Sequence, residues 1–162
     1  MRAMLGVMLL SGLWLGSWAA AHRAKERAIA RLTELGANVS YEHEWVAPGS
    51  WRANASPPGW AWLQRMLGEN YAAAVLDVQL YRCTPMSPEK FTDADAALLS
   101  SLPTLRTLVL AETQLTDAGL LRLAALPALQ ELDVENTRVT AQGVENFHAA
   151  RPSVRVVSAF SD

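Results

Sequence analysis

Apolar residues in the second half of the chain come in blocks that repeat. Leu105, Leu108, Leu110, Leu115, Leu120, Leu123 and Leu126 are matched by Leu129, Leu132, Val134, Val139, Val144, Phe147 and Ala150, each pair 24 positions apart. Thr113 and Thr137, and Gly119 and Gly143, keep the same spacing. Residues 75–104 form a looser first copy, before 105–128 and 129–153. A fixed period of this size implies units that bury their apolar face only by stacking on neighbours.

Within each block the pattern changes period. Val75-Val78-Leu80, Leu105-Leu108-Leu110 and Leu129-Leu132-Val134 end in period-two alternation, which predicts a short strand with one face buried. Thr92 or Asp93, Thr116 or Asp117, and Thr140 then stand as N-caps before about eight residues of helical spacing. Leu102-Pro103 and Leu126-Pro127 end the helices. A last strand is expected at Val154-x-x-Val157-x-Ala159, with Phe160 helping to cover the final core layer. The first block departs in two ways. Six residues are inserted within Thr84–Lys90 (TPMSPEK), and Asp95 stands where the later blocks have glycine.

The N-terminal half is organised differently. Residues 3–21 (AMLGVMLLSGLWLGSWAAA) carry no charge. As a helix they reach roughly 28 Å, near the hydrocarbon thickness of a bilayer. Trp14 and Trp18 suit an interface, and the basic stretch that follows fits an anchor better than a cleaved end. A cleaved export signal, with Ala19-Ala20-Ala21 as its site, is the alternative. Lys and Arg after the span favour the cytoplasmic side for the rest of the chain. Gly12-x-x-x-Gly16 permits close helix packing and a dimer.

Residues 22–36 predict a helix stopped at Gly36, and Val39, Tyr41 and Trp45 alternate as a strand or extended arm. Residues 48–59 predict a loop. Residues 60–74 predict a helix that caps the first open face of the repeats. The expected organisation is thus a membrane segment (1–21), a basic helix and linker (22–59), a cap (60–74) and the repeats (75–162). The expected fold class is α/β, a short right-handed solenoid of about three repeats with a helical cap and one transmembrane helix.

Here the residues carry a likeness. L-x-x-L-x-L-x-x-T-x-L-T-D-A-G-L-x-x-L-x-x-L-P (Leu105 to Pro127) resembles bacterial leucine-rich repeats. The layout of apolar span, basic helix, LGANVSYEHEW (Leu35–Trp45) and PPGWAWL (Pro57–Leu63) is similar to short membrane-anchored leucine-rich repeat proteins of planctomycete-type bacteria. The resemblance implies a protein-interaction domain on a tether, and it implies that Cys83, Thr113 and Thr137 turn inward and bond the turn.

Charge narrows the partners. Residues 1–31 hold five basic residues and one acid, whereas the whole chain is −2, which leaves −6 on 32–162. An acidic body argues against nucleic-acid binding. Strand alternation places Asp77, Gln79, Tyr81, Thr107, Val109, Ala111, Glu131, Asp133, Glu135, Val156, Ser158 and Phe160 outward. Glu131, Asp133 and Glu135 form an acidic row suited to a basic or amphipathic protein segment. Glu42, His43 and Glu44 alternate faces in a strand and cannot converge on a metal. Cys83, the lone cysteine, has no spaced base and reads as a structural thiol. Trp60 and Trp62 read as cap packing. No nucleophile–base pair, phosphate loop or cofactor motif is present, so the expectation is protein binding without catalysis or cofactor. A purely structural, self-associating role and an enzyme-accessory or small-ligand module using the loop at 84–90 are the alternatives.

Overall fold

A computed structural model of the chain describes residues 2–47, 50–51, 62, 73–80 and 91–159. A helix, α1 (Arg2–Glu34), leads into strand β1 (Asn38–Tyr41), a 3-10 turn (Glu42–Glu44) and strands β2 (Trp45–Ala47) and β3 (Ser50–Trp51). There follow β4 (Val75–Gln79), α2 (Asp93–Leu98), β5 (Thr107–Val109), α3 (Asp117–Leu123), β6 (Glu131–Asp133), α4 (Ala141–Ala150) and β7 (Arg155–Val157). Five strands make one sheet in the order β1-β4-β5-β6-β7, and β2 and β3 make a separate antiparallel pair. β1 runs antiparallel to β4; the other pairs are parallel.

The fold is therefore mixed α/β, and it corrects the expected capped solenoid with a transmembrane helix. The antiparallel β1, drawn from far upstream, breaks the single direction of stacking that a solenoid requires. The first face of the core is closed by the C-terminal part of α1 and the turn after it, where Ala28, Leu32 and Leu35 are buried in the common core. Of the helix expected at 60–74, Trp62, Ala73 and Ala74 alone are described, and Trp62 is exposed. Among the described residues no helix is long and apolar enough to cross a membrane. That overturns the anchor expected at 3–21 and the single-pass location. The run is diluted by three glycines, two serines and two tryptophans, and α1 continues without a break into charged residues and packs on the body.

Gly36, at φ 81°, ends α1 as its position predicts. The Ala37 amide donates back to the Leu32 carbonyl and the Gly36 amide to that of Thr33, at 2.9 Å each. Beyond it the core is built in layers. Val78, Leu108, Leu132 and Val156 share one sheet register, and all are buried. Phe91, Leu115 and Val139 lead into the helices, whose buried residues include Ala96, Leu120, Leu123 and Phe147. Ala150, expected inward beside Phe147, is exposed. The next residue, Arg151, instead reaches the carbonyls of Ala124, Leu126, Pro127 and Leu129 and ties down the turn after α3.

A carboxylate ladder fixes the helices to one another. Asp93 accepts from the Thr116 amide (2.9 Å) and hydroxyl (2.6 Å), and Asp117 accepts from the Thr140 amide and hydroxyl (2.7 Å each). Each aspartate thus holds the N-cap residue of the next helix. Gly119 and Gly143 are the seats for these carboxylates, since a Cβ at either would overlap the aspartate Oδ1. Asp95 occupies the corresponding site in α2 and serves its own cap. It accepts from the Thr92 amide and hydroxyl at 3.0 Å each, and Arg31 Nε of α1 donates to its other oxygen at 2.9 Å.

The turns after β5 and β6 are built alike. Thr113 and Thr137 Oγ1 donate to the Leu110 and Val134 carbonyls at 2.8 Å, so these two hydroxyls turn in and close the bend. Glu112 (φ 61°) and Asn136 (φ 54°) hold the left-handed conformation just before them.

Candidate protein-binding surface

The core residues above occupy one face of the five-stranded sheet. The other face carries two rows of side chains, fixed by strand register. Ser40, Asp77, Thr107, Glu131 and Arg155 form the first row. Asn38, Gln79, Val109, Asp133 and Val157 form the second. Alternation puts them there: Leu108 and Leu132 between them are fully buried, while Thr107, Val109, Glu131 and Asp133 are half-buried.

Of the residues expected on this surface, Asp77, Gln79, Thr107, Val109, Glu131 and Asp133 are brought together in adjacent register. Glu135 is exposed in the turn beyond β6. Ser158 is corrected: it is buried, as is Val156. The apolar triplet Val154-x-x-Val157-x-Ala159 suggested a register one residue later than the real one, and a one-residue slip exchanges the two faces of a strand. Arg155 and Val157 take the outward places that this reading missed. The 24-residue spacing from Glu131 and Asp133 was the signal for them. Tyr81, Cys83, the loop at 84–90 and Phe160 lie outside the described residues.

The acidic row is less uniform than its sequence. Arg155 Nη1 lies 3.4 Å from Glu131 Oε1, an ion pair between exposed side chains. Asp133 Oδ1 accepts the Glu135 amide at 2.9 Å, a local turn contact. Asp77 is set apart by burial, with 5 % of its surface exposed. Its Oδ2 takes a hydrogen bond from the Gln79 side-chain amide, and among the described residues its buried Oδ1 has no hydrogen-bond partner. Burial pushes its carboxyl up to about 6; the bonds from Gln79 and the Val78 amide oppose the rise and the nearby Glu131 charge adds to it.

Glu42 and Glu44, expected on one strand face, lie instead in the 3-10 turn, where Glu44 Oε2 accepts the Tyr41 amide at 3.0 Å. Among the described residues no three His, Cys, Asp or Glu side chains are grouped to hold a metal ion. No family model matches the chain, and no curated protein matches it.

Proposed function

We propose that the chain is a non-catalytic protein-binding module whose recognition surface is the sheet face bearing Asp77, Gln79, Thr107, Val109, Glu131 and Asp133. The observation that carries this reading is the asymmetry of the sheet. One face is sealed by leucines and helices; the other presents two registered rows of polar and acidic side chains with two valines among them. Such a face offers regular, rigid contact points at strand spacing, about 4.8 Å apart across the sheet. The bonds at Asp93, Asp117 and Arg151 hold the strands' supporting helices in place, so the face is preorganised and loses little freedom on binding.

The test is affinity capture by the full chain, comparing the unmodified protein with Thr107→Trp, which fills the centre of the face, and Leu121→Arg. Leu121 lies on the helix layer and is 58 % exposed. A partner lost with Thr107→Trp and kept with Leu121→Arg is the expected result. The opposite pattern refutes the reading and moves binding to the helices.

A further inference from the structure

The acidic excess of the sheet face and the state of Asp77 point to the chemistry of the partner. We infer that the partner of this face is a basic protein segment, one of whose lysine or arginine side chains is held by Asp77. The inference rests on the sheet-face reading above and specifies it.

Two independent observations support it. The first is the balance of charge. Asp77, Glu131 and Asp133 lie in the two rows and Glu135 stands beyond them; among the described residues of the rows the single cation is Arg155, which is already bound to Glu131. The second is the orphaned Oδ1 of Asp77. A buried carboxylate normally gathers two or more donors. Asp77 Oδ2 takes a bond from Gln79 and the carboxylate is also touched by the Val78 amide, yet among the described residues Oδ1 has no hydrogen-bond partner. The neighbours in its row cannot supply a cation: Ser40 stands on β1, Thr107 on β5 and Glu131 on β6, with Arg155 beyond on β7. A guanidinium or ammonium entering beside Gln79 supplies both the missing donors and the missing charge. Gln79 is half-buried, and its amide keeps its bond to Oδ2 while the entering cation meets Oδ1.

The register also sets a spacing. Asp77 and Asp133 are two strands apart and in different rows, roughly 12 Å at ordinary sheet dimensions. An extended chain covers that distance in three to four residues, so a second cation three or four positions from the first meets Asp133.

A random dodecapeptide library displayed on phage and panned on the full chain tests this. Selected peptides are expected to carry pairs of Lys or Arg three or four apart and to be lost on Thr107→Trp. Their affinity should fall about tenfold or more on Asp77→Asn, the loss of one charge-assisted pair. Binding to the unmodified chain should weaken between pH 7.5 and pH 5, as Asp77 takes up a proton, and that part of the pH response should vanish in Asp77→Asn. Asp77→Asn keeps the acceptor for Gln79 and the shape of the side chain, and its fold is checked by its unfolding curve; if it fails to fold, Asp77→Glu and the pH response carry the test. Peptides lost on Thr107→Trp that lack basic enrichment, or that bind Asp77→Asn equally well, overturn the inference and leave the sheet-face reading standing. A selection that yields no peptide sensitive to Thr107→Trp overturns both.

Discussion

The seat that Gly143 makes for Asp117 predicts a change of sign between two genetic backgrounds. In the native chain, a Cβ at residue 143 would come within 2.5 Å of Asp117 Cγ and closer still to Oδ1. The carboxylate must then swing away and release both the amide and the hydroxyl of Thr140. Charge-assisted bonds of this kind contribute about 1.5 to 3 kcal/mol each when buried. Thr140 is exposed, so a combined loss of about 2 kcal/mol is the reasonable scale. Against this, alanine is favoured over glycine in a helix interior by about 1 kcal/mol. Gly143→Ala should therefore destabilise the native chain by about 1 kcal/mol. Asp117→Ala removes the obstruction along with the bonds and should cost about 2 kcal/mol. In that background Gly143→Ala has only the propensity gain and should stabilise by up to about 1 kcal/mol. Urea unfolding of the four proteins, with a common slope, gives a coupling of about 2 kcal/mol. Additive effects, with Gly143→Ala destabilising by the same amount in both backgrounds, would refute the ladder as described.

Other substitutions probe separate features. Asp77→Asn should stabilise the chain at neutral pH by on the order of 2 kcal/mol, because a carboxyl raised from 3.8 to about 6 favours its protonated form in the folded state. That contribution is complete below about pH 4 and is lost as pH rises through 6, so the advantage of the variant should be near zero at pH 4 and full by pH 7.5; a pH-independent difference would sink the assignment. Arg31→Ala should cost about 2 kcal/mol by leaving a buried carboxylate without its cation, and Asp95→Asn in the same chain should recover part of it. Burial alone would raise the Asp95 carboxyl, but the Arg31 and Thr92 bonds outweigh it and hold it below the ordinary range. Its contribution is thus present above about pH 4 and disappears in acid, and acid unfolding of Arg31→Ala should show less of that dependence. Asn136, at φ 54°, should tolerate glycine and lose about 1 kcal/mol as Asn136→Ala, read from thermal midpoints; equal midpoints for the two variants would remove the left-handed turn from the account.

The parts of the fold that sequence made visible are those set by local periodicity. The parallel strands β4 to β6 and the caps at Thr92, Thr116 and Thr140 follow from alternation and from short polar residues ahead of helical spacing. What escaped is what depends on contacts across the chain. β1 reads as a short extended segment with no indication that its partner lies near residue 77. The apolar face of α1 at Ala28, Leu32 and Leu35 reads equally well as the tail of a membrane segment, because periodicity does not say what a face packs against. The ladder leaves a trace in Thr-Asp-x-Gly at 116–119, yet Asp117 looks like an ordinary first-turn acid until Thr140 is seen beside it. For the candidate surface, six of the expected residues are in registered strands. The last strand was misread because Ser158 is polar where earlier units have Leu110 and Val134, and the apolar Val157 beside it offered a better match to the wrong phase.

The direction of the carboxylate ladder has a bearing on self-association. Every joint needs an aspartate from one helix and a free amide and hydroxyl from the next. At one end Thr92 presents those donors, but Asp95 already occupies them and Arg31 lies over it. At the other end α4 begins Thr140-Ala141, with Ala141 standing where Asp93 and Asp117 supply the carboxylate. A second copy of the chain therefore finds neither half of the joint open. The bond that orders helices within one molecule is thus not offered for reuse between molecules, and two side chains, Asp95 and Ala141, withhold it.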